Sequence, residues 1–265
     1  IEIDTSTGEL LCEIRDRVAL ITLNRPEARN ALSDQLTPAL RRIIKQCGED
    51  PSVGALLITG AGVAFCAGGD VKGMGSNSAK AETPIDERIA DLRIKQRTLT
   101  GALVGLRKPT IAALPGPAAG AGLALALACD IRIAAESAVM TTGYARIALT
   151  GDYGITWLLT RLVGTSRARE LMFLSERIDA RRCETFGLVN RVVPAEELES
   201  YVRKYAATIA DNAPMTIKAA KLAIHAATQD ADKRDTARIN AAIDACFASE
   251  DYVEGRRAFM ETRRP

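Results

Sequence analysis

The chain has 265 residues, 47% hydrophobic and 26% charged, an ordinary globular composition that excludes a disordered tail, a collagen and a disulfide miniprotein. Thirty-five Lys and Arg face 33 Asp and Glu, giving a net charge of +2. No long basic run is present, which argues against a nucleic-acid partner but leaves room for a basic site holding one phosphate-bearing ligand.

The first 24 residues read as strands, with a hairpin through Arg15-Asp16-Arg17 between an alternating run and the apolar run Val18 to Leu23. Asn24-Arg25-Pro26 breaks the pattern. Ser33 is placed to cap a helix carrying Leu36, Leu40, Ile43, Ile44 and Cys47, which Asp50-Pro51 ends. Val53 to Thr59 reads as a buried strand running into a glycine-punctuated loop from Gly60 to Asp70. The polar, small residues 73–85 predict a mobile loop, followed by a helix from Asp86 to Leu106. Thr110 to Leu114 is a short strand, and Pro115 to Gly122 a tight turn. Leu123 to Cys129 is a helix of Leu and Ala, apolar on every side and so buried on every side, and Asp130 to Ala134 is a further strand. Helical patterns follow from Trp157 through Leu162, over Ala168 to Leu174 and over Ala180 to Phe186. Ala195 to Ala210, Pro214 to Ala227 and Thr236 to Phe247 close the chain as amphipathic helices. The alternation predicts an α/β domain with a helical C-terminal part.

The longest apolar run is too short and too rich in Ala and Gly to span a membrane. The start, IEIDTSTGELL, lacks the basic and apolar regions of a signal peptide. Cys12, Cys47, Cys66, Cys129, Cys183 and Cys246 are scattered, form no CxxC and share the chain with a single His. They read as buried free thiols of a cytoplasmic protein without a metal site.

The two glycine-rich turns carry the chemistry. Gly60-x-Gly62 follows a strand, but Phe65 stands where a dinucleotide fingerprint needs its third glycine. As a pair the turns make better sense. Each follows an apolar strand and precedes a helix, so each presents free backbone N–H groups that can hold a developing oxyanion. The alternative, two ordinary connecting turns, stays open on spacing alone.

The sequence resembles the crotonase superfamily, also called the enoyl-CoA hydratase/isomerase family. The resemblance rests on Leu23-Asn24-Arg25-Pro26-Glu27-Ala28-Arg29-Asn30-Ala31-Leu32, Phe65-Cys66-Ala67-Gly68-Gly69-Asp70-Val71-Lys72, Lys108-Pro109-Thr110-Ile111-Ala112-Ala113 and Gly116 to Leu123. Ala128-Cys129-Asp130, Leu162-Val163-Gly164, Phe186 to Val193 and Glu250 to Gly255 continue it in order along nearly the whole chain. It implies an α/β crotonase (ClpP-like) spiral of ββα units over residues 1–195, and a C-terminal helical trimerisation region over 196–265. It also implies a homo-trimer or dimer of trimers acting on acyl-CoA, with no cofactor beyond the coenzyme A of the substrate. By motif match the oxyanion N–H groups are those of Gly69 and Ala121. Glu27, Ala28, Ala67, Gly69, Asp70 and Val71 line the coenzyme A path. Arg25, Lys72, Arg256, Arg257 and Arg263 are the phosphate candidates, each arginine having a solvated helix face as its plainer reading. Phe259 packs on the coenzyme A of a neighbouring subunit.

Two departures decide the chemistry. Hydratases of this family carry one glutamate shortly after the second turn, where this chain has Ala124, and a second where it has Tyr144. Both positions face the substrate. Hydration needs groups to activate water and to handle the α-proton. Ala124 does neither, and Tyr144, with a reference pKa of about 10, is a poor base at neutral pH. Asp152, eight residues beyond Tyr144, resembles the proton-shuttling aspartate of the family's isomerase branches. One such carboxylate suffices for a double-bond shift, so the expected reaction is enoyl-CoA isomerisation. The alternatives are an acyl-CoA binding protein without turnover, or another thioester reaction such as hydration, hydrolysis or dehalogenation. For Asp152 the alternative is a helix cap near Ile155 or Thr156. His225 reads as a surface or core residue, and the absence of Gly-x-Ser-x-Gly argues against a serine hydrolase. Asp70 and Lys72 read as loop-ordering and coenzyme A-contacting residues rather than a charge relay.

Overall fold

The computed structural model describes residues 1–70 and 83–265. Val71, Lys72 and most of the polar 73–85 stretch lie outside the described residues. The hairpin forms as expected, joining β1 (Leu10–Arg15) to β2 (Val18–Leu23). Asp16 and Arg17 carry φ of 50° and 60°, the two left-handed residues that a two-residue turn between twisted strands requires.

α1 (Leu36–Glu49) begins where Ser33 Oγ accepts from the N–H of Gln35 at 3.2 Å and of Leu36 at 2.9 Å. It buries Leu36, Leu40, Ile43, Ile44 and Cys47. β3 (Ala55–Gly60) pairs in parallel with β2, starting two residues later than the apolar run suggests, because the Gly54 N–H is held by the Arg17 carbonyl. The helix expected over 86–106 divides at Leu99 into α2 (Ile85–Thr98) and α3 (Thr100–Gly105). Leu99 is fully buried with φ −113° and ψ −84°, so anchoring its side chain bends the backbone out of helix.

Two ββα units follow. β4 (Thr110–Leu114), β5 (Ala118–Ala119) and α4 (Ala121–Ala128) make the first. β6 (Ile131–Ala135), β7 (Val139–Thr141) and α5 (Ile155–Leu174) make the second. In each, the first strand enters a six-stranded sheet of order β1-β2-β3-β4-β6-β9 and the second enters a small sheet of order β5-β7-β8. All pairs of the large sheet beyond β1–β2 are parallel. α4 starts at Ala121 rather than Leu123, and α5 is kinked at Gly164, where φ is 75°. β8 (Ile178–Asp179), α6 (Ala180–Phe186) and β9 (Arg191–Val193) complete the spiral.

α7 (Leu198–Ala210) covers the far face of the large sheet with Leu198, Val202, Ala206 and Ala210 against Val18, Leu57, Ile111 and Ile133. Burying each such Leu or Val stabilises by about 1.5–3 kcal/mol. α8 (Pro214–Ala227), α9 (Thr236–Phe247) and α10 (Glu250–Met260) bury almost nothing within one chain. They leave Ile224, Ile243, Phe247, Val253, Phe259 and Met260 exposed. No helix among the described residues is long and apolar enough to cross a membrane. The six cysteines are free thiols, five of them buried and Cys246 half-buried.

Candidate active site

The two turns are laced together. Phe65 N–H donates to the Pro117 carbonyl at 3.0 Å, and Ala119 N–H to the Cys66 carbonyl at 3.0 Å. Asn30, fully buried, anchors the first turn: its Nδ2 donates to the carbonyls of Ala61 and Ala64, each at 2.9 Å. The fit leaves no room for larger residues. A Cβ on Gly122 would stand 2.3 Å from the Cys66 carbonyl oxygen. A Cβ on Gly68 would stand 2.8 Å from the Ala119 oxygen and 3.4 Å from the Ala121 nitrogen. Gly120, at φ 52° and ψ −124°, adopts a conformation open essentially to glycine.

Gly69 and Ala121 are thereby brought side by side. The pairing of this segment with Leu32 runs through the Gly68 carbonyl, which accepts from Leu32 N–H at 2.8 Å, not through the N–H of Gly69. Ala121 is the first residue of α4, so its N–H has no acceptor within the helix. Among the described residues neither N–H has a backbone partner. Two such donors, one at a helix N-terminus, can hold an anionic oxygen.

Of the expected phosphate contacts, Lys72 lies outside the described residues and the arginines have partners within the chain. Arg25 is engaged: it faces Glu9 at 3.2 Å and Asp70 at 3.1 Å, and its Nη1 donates to the Ala31 carbonyl at 2.8 Å. It braces the first turn against the start of β1. Arg257 pairs with Glu254, Arg263 with Glu254 and Glu261, and Arg256 lies over the Tyr252 ring, all within the C-terminal helix and its tail. Phe259 is 82% exposed on the same helix. Glu27 and Ala28 form the short 3-10 turn Pro26–Ala28 leading into the site. Beside exposed Ala67 and half-buried Ala119 lies a cavity of about 260 Å³ ringed by Arg29, Arg146 and Arg177. None of the three has an ion pair among the described residues. Arg29 lies in the Leu23–Leu32 motif while Arg146 and Arg177 lie in none, so no sequence signal marks the three as a set.

The third element lies behind the second turn. Tyr144 opens the 3-10 turn Tyr144–Ile147, is 4% exposed and donates its hydroxyl hydrogen to Asp152 Oδ1. That hydroxyl is 3.8 Å from where a Cβ on Gly120 would stand, so the pair abuts the residue preceding Ala121. Asp152 is not a side-chain cap. Its backbone carbonyl accepts from Ile155 N–H at 3.0 Å, while the cap position of α5 is Gly154 with no side-chain hydrogen bond. Burial pushes the Asp152 carboxyl above the usual carboxylate range, and the Tyr144 hydrogen bond works against that rise. Burial first, then the neighbouring carboxylate, push the Tyr144 phenol far above its ordinary value, so it is a neutral donor. Ala124, fully buried on α4 one turn after Ala121, presents a methyl where a carboxylate is absent.

Next to Asp152, a cavity of about 550 Å³ opens between Tyr153, Thr100, Val104, Trp157, Leu158 and His225. Most of its lining surface is apolar, and Arg93, Gln96 and Arg97 also border it. Trp157 and His225 join it from helices that sequence periodicity alone leaves unrelated.

Comparison with known proteins shows the family and the fold. The family model for enoyl-CoA hydratase/isomerase matches residues 13–265. A short-chain-enoyl-CoA hydratase of Clostridium acetobutylicum is 34% identical, over 97% of this chain and 96% of its own. A 1,2-epoxyphenylacetyl-CoA isomerase of Escherichia coli is also 34% identical, over 97% of each chain. The crystal structure of an enoyl-CoA hydratase from Bacillus anthracis superposes with a TM-score of 0.88 at 34% identity, covering 97% of this chain and 98% of that one.

Proposed function

This chain belongs to the enoyl-CoA hydratase/isomerase family, and from that premise we propose that it isomerises an enoyl-CoA double bond with Asp152 as the single acid/base. The thioester oxygen sits between the N–H groups of Gly69 and Ala121. Asp152 takes a proton from C2 of a 3-enoyl-CoA. The C–H electron pair forms a C1–C2 double bond as the carbonyl pair moves onto the oxygen. When that pair returns, the C1–C2 pair becomes the C2–C3 double bond and the C3–C4 pair takes the proton back from the same carboxyl at C4. Between the two steps the dienolate charge rests on the oxygen held by the two N–H groups. Removing one donor of this kind costs about 10²–10³ in rate.

The observation that carries the reading is the set of side chains around the turns. Behind the second turn Asp152 is the carboxylate among the described residues, while Ala124 is a buried methyl and Tyr144 a neutral phenol; Asp70 of the first turn is paired with Arg25. A carboxylate raised by burial suits both taking and returning a proton near neutral pH. Arg29, Arg146 and Arg177 are the arginines free to meet coenzyme A phosphates, and the apolar cavity beside Tyr153 takes the acyl chain. The exposed apolar residues of α8–α10 support residues 196–265 as an oligomerisation region, for a trimer or dimer of trimers built on a core of 1–195.

The test mixes purified wild type and Asp152→Asn with a 3-enoyl-CoA and follows absorbance of the conjugated 2-enoyl thioester, with the product identified by mass spectrometry. Conjugation by the wild type, lost in the variant, is expected. Hydration of a 2-enoyl-CoA by the wild type at comparable rate, or full activity in Asp152→Asn, overturns the proposal. Tight binding of acyl-CoA with no turnover of enoyl, hydroxyacyl or ketoacyl thioesters replaces it with a binding protein.

A further inference from the structure

We propose that Tyr144 is a positioning residue: its hydroxyl holds Oδ1 of Asp152 and leaves Oδ2 as the oxygen that exchanges a proton with the acyl group. The proposal rests on the isomerase reading above and adds a residue to it.

The chain is built to keep this phenol still. Thr142 Oγ1 donates to the Leu171 carbonyl at 2.8 Å and lies 3.1 Å from Ser175 Oγ, which in turn accepts from Ala145 N–H at 3.3 Å. Thr142 and Ser175 are buried, so both sides of Tyr144 are pinned to the C-terminal end of α5. Beyond the 3-10 turn, Ala148 closes it in the left-handed region at φ 55°, and the chain returns through Gly151 to Asp152. A Cβ on Gly151 would stand 2.5 Å from Ile155 Cγ2, so that return path is tight. The phenol therefore stands between Gly120, beside one oxyanion donor, and the carboxylate that moves the proton.

The chemistry needs this. A 1,3-proton shift asks one carboxyl to reach two carbons of the same acyl chain in succession. A carboxylate free to rotate offers two equivalent oxygens and a spread of angles, whereas one tied at Oδ1 offers one oxygen in one place. The donor also favours the charged form at the moment the proton is absent. The phenol itself keeps its proton, so it orients the base without replacing it. Among the described residues the groups beside Asp152 are Tyr144 and, on its own loop, Tyr153, while Arg93 and Arg97 of α2 line the neighbouring cavity. Arg41 from α1 and Asp91 from α2 act on Tyr153.

The test is Tyr144→Phe, read in two ways. Titration of ¹³C-labelled aspartate carboxyls, with Asp152→Asn assigning the signal, follows Asp152 without any turnover. The midpoint is expected to rise by about one pH unit when the hydroxyl is removed. In turnover of a 3-enoyl-CoA, kcat at neutral pH is expected to fall about tenfold with KM changed less than twofold, and the acid limb of the kcat profile to move with the titration. Fluorotyrosine at 144, a stronger donor, is expected to move the midpoint the other way, and it stands in should the Phe variant fold poorly. An unmoved Asp152 midpoint in a variant that melts like wild type overturns the proposal. Wild type that does not conjugate 3-enoyl-CoA, with the titration still displaced by Tyr144→Phe, defeats the isomerase reading and leaves the Tyr144–Asp152 coupling in place.

Discussion

Gly122→Ala tests whether the two turns act as one rigid body. The added methyl would stand 2.3 Å from the Cys66 carbonyl oxygen and 2.7 Å from Cys66 Cβ and Sγ. Ordinary contact begins near 3.4 Å, so one turn must retreat from the other by about 1 Å. The backbone bonds from Phe65 and Ala119 resist this, and the displacement falls on Ala121, the residue just before the substitution. A functional constellation tolerates about 0.5 Å, so the variant is expected to lose one of its two oxyanion donors, at a cost of about 10²–10³ in kcat. Overpacking of this kind destabilises by about 1–3 kcal/mol, which lowers Tm by roughly 2–4 °C for each kcal/mol in a domain of this size. The assay is the initial rate of 3-enoyl-CoA conjugation beside a thermal melt. Gly8→Ala, where a methyl meets open space, is the control and is expected to match wild type. Wild-type rate and melting in Gly122→Ala would refute the reasoning, since the turns would then yield without cost.

Two further outcomes follow from the same geometry. Burial raises the Asp152 carboxyl in the folded state, so the fold binds that proton more tightly than the unfolded chain, whose value is about 3.9. Stability from this group is therefore present at low pH and lost as pH rises from about 4 through the raised value, so Asp152→Asn should melt above wild type at pH 7, with the difference shrinking toward pH 4. A pH-independent difference contradicts this. Arg29→Ala and Arg146→Ala are each expected to raise KM for a coenzyme A thioester several-fold with kcat unchanged, more strongly at low salt, and to leave a substrate truncated before the phosphates unaffected. Equal losses on the full and truncated substrates would place the phosphates elsewhere.

What the sequence showed follows from how local the determining interactions are. The hairpin at Asp16-Arg17, the Ser33 cap and the limits of α6, α8 and α9 depend on neighbours a few residues away, and all were legible. β5, β7 and β8 are two or three residues long and exist because distant strands pair with them, so no window of sequence displays a period. The break at Leu99 comes from burial of one side chain, which propensity does not register. At the site, the motifs led to the two turns, while the partners of Arg25 are something charge alone hides. An arginine beside Glu9 and Asp70 in the fold is already neutralised, and those partners lie 16 and 45 residues away. Arg29, Arg146 and Arg177, without an ion pair among the described residues, ring one cavity that only the fold brings together.

The proposed reaction differs from its near relative in what the side chains at 124, 144 and 152 must hold. Hydration and double-bond migration share an enolate, and so share the two N–H donors. They part at the next atom. Hydration must fix a water molecule and strip it of a proton, which takes an acceptor on the α4 side of the site; the fully buried Ala124 methyl is not one. Migration needs nothing there. It needs a carboxyl that is neither so acidic that it refuses the proton nor so basic that it keeps it. Burial alone drives Asp152 toward the second fault, and the one hydrogen bond from Tyr144 draws it back. Under the proposed reaction, a methyl at 124 and a phenol at 144 leave Asp152 as the acid/base, held by one hydrogen bond.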